Sequence, residues 1–469
     1  MGKSYPKSLS PTLPKAILIK MTTIEELYTL YLQHPIVSTD TRKLAKDCLF
    51  FALKGANFDG NKYALSALEA GAAYAVIDDC TLVGKDDRLL LVSDVLHTLQ
   101  QLARHHRHLL KTPVIAITGT NGKTTTKELT ASVLAQGYQL LFTEGNLNNH
   151  IGVPLTLLRL TQEHQLALIE MGASKPGDIA ELCAIAGPNY GLITNIGQAH
   201  LEGFGSIEGV RKTKGELYDY VRTHGGVLFV HAEDTTLLQM SEGVQRVLYG
   251  TDKLHQPSTR SIPLVQGEVK AAEHQLFLSF SWTCPSLSLP EQEVTTHLVG
   301  AYNLPNALAA ITIGLFFDIP VEKISEALRA YTPSNSRSQF ILSERGNRII
   351  ADAYNANPSS MKKAIENFLS ILPLETPRTL ILGDMNELGT ASEDAHRQLL
   401  EMLRNEAMKH PLEFLLCGPK WQALLGCEPN IFPSVSELKD YLTAHPLNDT
   451  LILLKGSNSI HLSELLPLL

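Results

Sequence analysis

The chain has 469 residues, of which 44% are hydrophobic and 19% are charged, the composition of an ordinary globular protein. At roughly 150 residues per domain, this length predicts about three domains, each able to bury its own core. The net charge of −8, without a basic block or an aromatic-basic stripe, argues against nucleic-acid binding. The acidic balance is compatible with an anionic substrate, because such a substrate requires only a local cluster of cations.

The first 20 residues and the cysteines bear on where the protein works. Residues 1–20 contain four lysines, three prolines and no acidic residue, and we predict a disordered extension there, with a targeting role as the alternative. The six cysteines are scattered and form no C-x-x-C pair, which argues against a disulfide framework or a zinc site. No apolar run approaches the length of a membrane span. We therefore expect a protein of the reducing cytoplasm.

Residues 21–112 predict a small α/β domain, with a helix at 22–33 and an apolar strand at 48–53. The hydroxyl-rich run STDTR, at 38–42, precedes this strand, and a glycine-rich turn at 54–60 follows it. Two such turns near each other can bind a diphosphate or a uracil ring, while a solvated surface arginine is the alternative. The candidate ligands are Thr39, Asp40 and Arg42.

The central domain, predicted at 113–331, begins with a strand, a glycine-rich turn and a helix. Residues 113–118 form an apolar, β-branched run, and leucine and valine recur at helical spacing after residue 128. In the turn, glycines let backbone N–H groups approach phosphate oxygens, and the helix N-terminus adds a partial positive charge. Lys123 adds a full charge, and Thr124 can ligate Mg²⁺. This order predicts a phosphate-binding loop for a nucleoside triphosphate.

The loop is shorter than the common G-x-x-x-x-G-K-[ST] pattern, because Ile117 stands where the first glycine would be. An ordinary strand-to-helix turn is the alternative interpretation. The predicted nucleotide contacts of the loop are Gly119, Thr120, Asn121, Gly122, Lys123, Thr124 and Thr125.

Two predicted strands of the central domain end in residues suited to a metal site. The strand at 165–170 ends in Glu170, a carboxylate placed beside the loop to hold Mg²⁺ directly or through water. The strand at 190–196 leads to His200, for which a structural role is the alternative. Both residues are therefore expected at the carboxyl edge of one sheet.

Amide side chains form a second group of candidates. Asn146 and Asn149 lie in the polar loop GNLNN after the first helix of the domain. Asn303 and Asn306 lie three residues apart on the first turn of an Ala-rich helix, where they can bond the edge of a purine or cap the helix.

A linker rich in Pro, Ser and Asn, at 331–337, precedes a third domain predicted at 332–469. Its strands are predicted at 348–352, 379–382, 412–417 and 450–454. Its helices are predicted at 359–372, 392–409 and 436–445. This alternation predicts a Rossmann-like, doubly wound α/β domain that binds ligands at polar strand-end loops. The whole chain is thus predicted to be an α/β protein of three domains.

Together these motifs resemble the Mur ligase family, the ATP-dependent amide-forming enzymes of peptidoglycan precursor synthesis. The family order is kept across residues 21–469 by TGTNGKTT, GNLNNHIGVPLTLL, EMGA, NIGQAHLEGF, N-x-x-N and DAYNANPSSM. On the runs FFALKGANFDG, DAYNANP and LGDMNELG, the chain is most similar to the ligase that adds D-alanyl-D-alanine to UDP-N-acetylmuramoyl-tripeptide. The D-N-P-R signature of the diaminopimelate- or lysine-adding ligase is absent.

The resemblance implies a metal site with two Mg²⁺ ions. Thr124 and Glu170 would hold the first ion. His200 would hold or orient the second, together with a lysine that the family carries as a carbamate. The family register assigns that lysine to Lys214, with Lys212 as the fallback.

The resemblance also implies contacts to the substrates. Asn303 and Asn306 would face adenine, Arg337 a phosphate and Asp352 the ribose. Residues near the incoming dipeptide would be Tyr354, Asn355, Asn357 and the turn at 384–389. Asn386, within that turn, departs from the apolar residue of many relatives.

In the implied reaction, ATP converts a peptide carboxylate into an acyl phosphate, which the amine of D-alanyl-D-alanine attacks. Lys123, His200 and Lys214 would be the catalytic residues, and Asn146 and Asn149 would contact substrate. Each step concentrates negative charge on oxygen atoms, which cations and helix N-termini stabilise.

Each domain would then carry one ligand. The UDP-sugar peptide would lie on residues 21–112, ATP chiefly on 113–331, and the dipeptide on 332–469. We expect a monomer whose third domain closes over the central one during the reaction. Before nucleotide binds, we expect an open arrangement, with Asp352 well away from the loop at 119–124.

Two other functions are compatible with a phosphate-binding loop. An amide ligase similar to folylpolyglutamate synthase is disfavoured, because that enzyme begins almost directly with its phosphate-loop domain. A regulatory NTPase is disfavoured by the several strand-end loops of the third domain, which favour a second substrate.

Overall fold

The computed structural model describes residues 20–198, 201–251, 264–270, 276–334, 337–371, 376–409, 411–426 and 428–469. The chain divides into two compact units, Met1–His105 and His106–Leu469. No helix among the described residues is long and apolar enough to cross a membrane.

The first unit is built on a small parallel sheet. Its helices are α1 (Ile24–Gln33), α2 (Ala64–Glu69) and α3 (Val95–Leu110), the last of which continues into the second unit. Its strands are β1 (Val37–Ser38), β2 (Leu49–Phe51), β3 (Lys54–Gly55), β4 (Phe58–Asp59), β5 (Tyr74–Ile77) and β6 (Leu89–Leu91). The sheet order is β1-β2-β5-β6, all parallel, and β3 and β4 form a separate hairpin.

Local sequence explains the first elements of this unit. α1 begins after Thr23, whose hydroxyl accepts the N–H of Glu26 while the Glu26 carboxylate accepts the N–H of Thr23. Phe50 of β2 and Ile77 of β5 are fully buried in the core of the unit. The expected helix at 22–33 and the expected strand at 48–53 are therefore confirmed, each with slightly narrower bounds.

The second unit begins with a large mixed sheet. Its strands are β7 (Val114–Thr118), β8 (Leu140–Phe142), β9 (Leu166–Glu170), β10 (Tyr190–Ile193), β11 (Val227–His231), β12 (Gln245–Gly250), β13 (Leu264–Val269), β14 (Phe277–Thr283) and β15 (Gln292–Val299). Among the described residues the sheet order is β15-β14-β13-β12-β11-β10-β7-β9-β8. The seven neighbouring strands β13, β12, β11, β10, β7, β9 and β8 run parallel to one another. The other two, β14 and β15, are antiparallel to their neighbours.

Helices cover this sheet. They are α4 (Lys123–Leu134), α5 (Gly152–Leu157), α6 (Asp178–Ala186), α7 (Leu201–Phe204), α8 (Ile207–Thr223), α9 (Thr235–Met240), α10 (Leu304–Phe316) and α11 (Val321–Ala330). Every residue of β7 and of β9 is buried, as expected for central parallel strands with both faces covered. Leu129 of α4 and Leu308 of α10 lie in the same hydrophobic core as the strand residues Ile115 and Leu168.

The last part of the chain forms a second sheet. Its strands are β16 (Gln339–Leu342), β17 (Arg348–Asp352), β18 (Arg378–Gly383), β19 (Leu412–Cys417), β20 (Ile431–Phe432) and β21 (Leu451–Lys455). Its helices are α12 (Pro358–Ser370), α13 (Ser392–Ala407), α14 (Pro419–Leu425) and α15 (Val435–Ala444). Among the described residues the order is β16-β17-β21-β18-β19-β20, with all pairs parallel except β16–β17.

The predicted α/β fold class and the doubly wound third domain are confirmed. All four strands and all three helices expected beyond residue 337 are present within one or two residues of their bounds. The short edge strands β8, β16 and β20 were not predicted, because two to four residues carry little periodic signal. Below, the parts of the second unit built on the first and second sheets are called the central and C-terminal domains.

Candidate active site

The phosphate-binding loop connects β7 to α4, as predicted, and two of its glycines are required by the backbone. Gly119 has φ 144°, and a Cβ there would lie 1.9 Å from Thr194 Oγ1. Gly122 has φ 79° and precedes the first residue of α4, and its Cβ would lie 2.7 Å from Asn306 Oδ1. A side chain at either position would strain the backbone and meet a neighbour, so the loop keeps its shape only with glycine.

Lys123 bends back over this loop. Its Nζ donates to the carbonyl oxygens of Gly119 at 2.7 Å and Thr120 at 3.0 Å. Burial lowers the pKa of the Lys123 ammonium, and the nearby charge of Arg337 lowers it further, while Glu170 opposes both. The loop thus positions a cation at the N-terminus of α4, where phosphate oxygens bind in such folds.

Glu170, at the end of β9, is held by two side chains. Thr124 Oγ1 donates to one carboxylate oxygen at 2.9 Å, and Asn148 Nδ2 donates to the other at 2.8 Å. Thr124 and Glu170 are both buried. The structure therefore brings together the hydroxyl and the carboxylate that were predicted to hold Mg²⁺.

The donor set fits Mg²⁺ of the nucleotide-bound kind. The described residues contain no group of three or more His, Cys, Asp or Glu side chains that could hold a metal alone. Mg²⁺ usually takes one or two carboxylates and completes its shell with water and substrate phosphates, so one carboxylate and one hydroxyl suffice. His200, predicted for a second ion, lies outside the described residues.

Lys214 is buried on α8, whereas Lys212 is exposed. Burial, and next the charge of Lys123, lower the pKa of Lys214 to about 7, against the attraction of Asp178, Glu216 and Glu170. The Lys214 ammonium lies 5.7 Å from the centre of the Phe204 ring. Of the two lysines considered from the sequence, Lys214 is the one that faces the interior.

The asparagines predicted to face adenine bond to each other. Asn303 Nδ2 donates to the carbonyl of Val299 at 2.9 Å, and its Oδ1 accepts from Asn306 Nδ2 at 2.9 Å. Asn306 Oδ1 in turn accepts from the hydroxyl of Thr126 on α4 at 3.1 Å. Both asparagines line the cavity beside the loop, and their amides also tie α10 to the helix that follows the loop.

The C-terminal domain contributes a second group of residues. The guanidinium of Arg337 lies 3.6 Å from the centre of the Tyr354 ring, a cation–π contact. Asp352, at the end of β17, accepts from Lys455 Nζ at 2.6 Å, and Lys455 also donates to the carbonyl of Asn355 at 3.1 Å. No individual role was predicted for Lys455, which ends the central strand β21 and begins one of the polar strand-end loops at which this domain was expected to bind ligands.

A cavity of about 540 Å³ joins the two groups. Its lining includes most of the predicted loop residues, from Thr120 to Thr125, and also Glu170, Asn303, Asn306, Asn149, Arg337, Asp352, Tyr354 and Asn355. Asn148 and Lys455 line it as well, although neither was assigned from the sequence. Asn146 is exposed and is not part of this lining.

The C-terminal domain lies against the phosphate-binding loop, which differs from the expected open arrangement. Asn357 Nδ2 donates to Asn121 Oδ1 at 2.8 Å, and Asn121 Nδ2 donates to Ser359 Oγ at 3.1 Å. Asp352 lines the same cavity as the loop rather than lying well away from it. The expectation was wrong for this structure because it omitted direct bonds between the two domains.

In the first unit, the two predicted turns leave one edge of the sheet. β1 pairs in parallel with β2, so the residues after Ser38 and after Phe51 emerge on the same side. Arg42 forms a bidentate pair with Asp40, with bonds of 2.9 and 2.8 Å, and this lowers the pKa of the Asp40 carboxyl to about 2. Thr39 lies in the same turn, so the three candidate ligands remain together.

Comparisons with known proteins agree along the chain. Family profiles described as "Mur ligase family, catalytic domain", "Mur ligase middle domain" and "Mur ligase, glutamate ligase domain" match residues 35–107, 117–314 and 336–458. The chain is 35% identical over 440 residues to the UDP-N-acetylmuramoyl-tripeptide--D-alanyl-D-alanine ligase of Bacillus subtilis (strain 168), with 92% of each covered. It is 35% identical over 367 residues to the protein of that name from Escherichia coli (strain K12), with 78% of each covered.

Solved structures give the same result. MurF from Acinetobacter baumannii has a TM-score of 0.77 to this chain at 28% identity, with 92% of each chain covered. MurF ligase from Thermotoga maritima, solved in complex with ADP, has the same fold, with a TM-score of 0.77 at 24% identity over 93% of this chain and 97% of that one. With profiles that match most of its length and a relative 35% identical over 92% of it, the chain belongs to the Mur ligase family.

Proposed function

We propose that this chain joins D-alanyl-D-alanine to UDP-N-acetylmuramoyl-tripeptide, with cleavage of ATP to ADP and phosphate. The product is UDP-N-acetylmuramoyl-pentapeptide, a precursor of peptidoglycan. The observation that carries the proposal is the cavity in which the phosphate-binding loop meets Arg337, Asp352 and Tyr354 of the C-terminal domain. A nucleotide on the loop and an amine held by the other domain meet in such a cavity, and the B. subtilis relative bears the name of this reaction.

The reaction needs activation because a carboxylate is a poor electrophile. A carboxylate oxygen of the tripeptide attacks the γ-phosphorus of ATP, and the bond from that phosphorus to the ADP oxygen breaks. The amine of D-alanyl-D-alanine then attacks the acyl carbon, and phosphate leaves as the amide forms and the amine loses a proton. Both steps gather negative charge on oxygen, which Lys123 and the N-terminus of α4 stabilise.

Thr124 and Glu170 are the residues that would hold Mg²⁺, which neutralises charge on the phosphate oxygens when it is bound. Asn148 keeps the Glu170 carboxylate in place through its hydrogen bond. Lys123 Nζ donates to two loop carbonyls, and phosphate oxygens would replace these acceptors when the nucleotide binds.

We propose that Lys214 carries a carbamate, which would bind a second Mg²⁺ together with His200. A pKa of about 7 leaves a large fraction of the Lys214 amine neutral near neutral pH. A neutral amine adds CO₂ with loss of one proton, and the product is an anion. The ammonium form would repel a metal ion, so the modification converts a repulsive group into an oxygen ligand.

The nucleotide-sugar part of the substrate is proposed to bind the first unit at Thr39, Asp40 and Arg42. The support is that their turn and the glycine-rich turn after β2 leave the same edge of a parallel sheet. We further propose a monomer that works in the cytoplasm, without nucleic acid. The scattered cysteines support the cytoplasm, and the absence of a basic block in the sequence argues against nucleic-acid binding.

A phosphate-release assay tests the proposed reaction. Release should require both D-alanyl-D-alanine and a UDP-tripeptide, supplied in parallel with diaminopimelate or lysine as the third residue. Lys123→Ala should lower ligation about 10²- to 10³-fold, because a donor to the reacting phosphate is removed. It should still bind UDP-tripeptide in calorimetry. Release that does not depend on the dipeptide, or ligation by Lys123→Ala near the wild-type rate, would contradict the proposal.

A further inference from the structure

The side chain of Asn121, in the phosphate-binding loop, is part of a ring of three side chains that joins two domains. Its Oδ1 accepts from Asn357 Nδ2 at 2.8 Å, and its Nδ2 donates to Ser359 Oγ at 3.1 Å. The Ser359 hydroxyl donates to Asn357 Oδ1 at 2.8 Å, which closes the ring. Asn121 belongs to the central domain, and the other two residues begin α12 of the C-terminal domain.

The peptide groups of Asn121 are held separately, by two residues that follow β10. The Asn121 N–H donates to Asn195 Oδ1 at 3.1 Å, and the Asn121 carbonyl accepts from Asn195 Nδ2 at 2.9 Å and Thr194 Oγ1 at 2.7 Å. The central domain therefore binds the backbone of this loop residue, while the C-terminal domain binds its side chain. Hydrogen bonds to both its backbone and its side chain therefore favour one conformation of Asn121.

The partners on α12 are themselves held by hydrogen bonds at the start of the helix. Asn357 is the N-cap of the helix and is almost completely buried, and its Oδ1 also accepts the N–H of Ser360 at 2.9 Å. Ser360 completes the capping box, because its hydroxyl accepts the N–H of Asn357 at 3.1 Å. Ser359 makes neither of these two capping bonds, so its hydroxyl is directed to the ring.

We infer that Ser359, with Asn357, is a positioning residue for the phosphate-binding loop: the C-terminal domain helps to set the loop that receives the nucleotide. This inference rests on the proposed function, because it takes the loop to bind ATP. It assigns to Asn357 a role different from the dipeptide contact implied by the family resemblance. It also gives a role to Ser359, which the sequence did not single out.

A double-mutant cycle between Asn121 and Ser359 tests the inference in the full-length chain. The measured quantity is the dissociation constant of a non-hydrolysable ATP analogue in the presence of Mg²⁺. Ser359→Ala should weaken binding about fivefold, the effect of losing the one neutral hydrogen bond from the loop to Ser359, since its other bond, to Asn357, lies within the C-terminal domain. Ser359→Thr, which keeps the hydroxyl, should restore it. In an Asn121→Ala background, Ser359→Ala should have no further effect, because its partner is already missing.

The control is Ser370→Ala, at the other end of α12, where the hydroxyl donates to the carbonyl of Asn367. It should leave nucleotide affinity unchanged in both backgrounds. If Asn121→Ala abolishes nucleotide binding, the cycle is repeated with Asn121→Ser, whose shorter side chain cannot span to Ser359. Equal effects of Ser359→Ala in both backgrounds, or no effect in the wild type, would overturn the inference.

Ligation measured on the same wild-type protein separates this inference from the proposed function. A coupled cycle in a protein that does not ligate the dipeptide would refute the proposed reaction and leave the positioning role standing. Dipeptide ligation by a protein whose cycle shows no coupling would refute the positioning role alone.

Discussion

Two lysines on α8 illustrate how one residue position decides the chemistry that is available. Residues two positions apart on a helix point about 200° apart, so Lys212 and Lys214 cannot both face the interior. Lys214 is buried among groups that include Lys123 and Glu170, whereas Lys212 is exposed. An exposed lysine keeps its charge in water, while burial lowers the pKa of Lys214 to about 7, which leaves part of its amine neutral, as the proposed carbamate requires.

We expect Lys214→Ala to lose about 10²-fold or more of the ligation rate, because the proposed carbamate, an oxygen ligand of the second Mg²⁺, could no longer form. Short-chain carboxylic acids should restore part of the rate by supplying that oxygen, and added bicarbonate should not. Steady-state kinetics of the purified variant, with and without acetate, measures both effects.

Lys212→Ala is the matched control, since it removes a lysine of the same helix from an exposed position. It should ligate at close to the wild-type rate. An inactive Lys212→Ala beside an active Lys214→Ala would show that the family register is displaced by two residues.

At the scale of single elements, α13 is attached to the C-terminal sheet through a buried histidine. His396 Nδ1–H donates to the carbonyl of Ser392 at 2.7 Å, and its Nε2 accepts the N–H of Met385 at 3.1 Å. Both ring nitrogens are therefore used in the neutral form. Burial lowers the pKa of His396, although Asp384, 3.9 Å away, favours its charged form, and Lys420 opposes that form.

This arrangement predicts a loss of stability at acidic pH. The pKa of His396 is lower in the folded chain than in the unfolded chain, where it is near 6.5. Below about pH 6.5 the unfolded state therefore binds a proton that the folded state does not. The contribution of His396 to the free energy of unfolding is fully present above that pH. It is lost as the pH falls through the pKa of His396 in the folded chain, by at most about 1.4 kcal/mol per pH unit.

Urea unfolding of the wild type and of His396→Gln between pH 8 and pH 5.5 measures this contribution. The free energy of unfolding should fall less steeply with decreasing pH in the variant. His445→Gln, which changes an exposed histidine, should keep the wild-type slope. Parallel slopes for the wild type and His396→Gln would mean that His396 does not titrate differently on folding.

At the scale of the whole second unit, the central and C-terminal domains are joined by direct bonds between protein groups. The two bonds from Asn121 to Asn357 and Ser359 contribute about 1–3 kcal/mol together, at 0.5–1.5 kcal/mol per neutral hydrogen bond. A tenfold change in an equilibrium constant corresponds to about 1.4 kcal/mol, so these bonds favour the closed arrangement without making it permanent. Such a balance allows closure during the reaction and opening for product release.

Small-angle scattering tests this balance, with UDP-tripeptide present throughout so that only the nucleotide is varied. The wild-type radius of gyration should stay unchanged, within error, when the protein is saturated with a non-hydrolysable ATP analogue. The Asn121→Ala, Ser359→Ala double variant should have a larger radius that decreases when the analogue binds. A wild type that contracts on binding the analogue would mean that the open form predominates despite these bonds.

Local patterns were sufficient to predict much of this molecule. An apolar β-branched run, a glycine-rich turn and a helical repeat predicted the strand, loop and helix around Lys123, because each depends on neighbours within a few residues. The carboxyl end of a buried strand predicted that Glu170 would lie beside Thr124, since parallel strands end at one edge of a sheet. The family order of the motifs predicted the family and the fold class. The domain boundaries and the role of each site residue stay predictions.

Other features depend on partners far apart in the chain. Asn121 meets Asn357 across 236 positions, and Lys455 meets Asp352 across 103. A side-chain amide or ammonium can form hydrogen bonds with many partners, and no local periodicity selects among them. The contact between the central and C-terminal domains brought Asn121 within 3 Å of Asn357, and the pairing of β17 with β21 in one sheet brought Asp352 within 3 Å of Lys455. Whether the C-terminal domain lies open or against the loop therefore depended on tertiary contacts that no single segment of the sequence encodes.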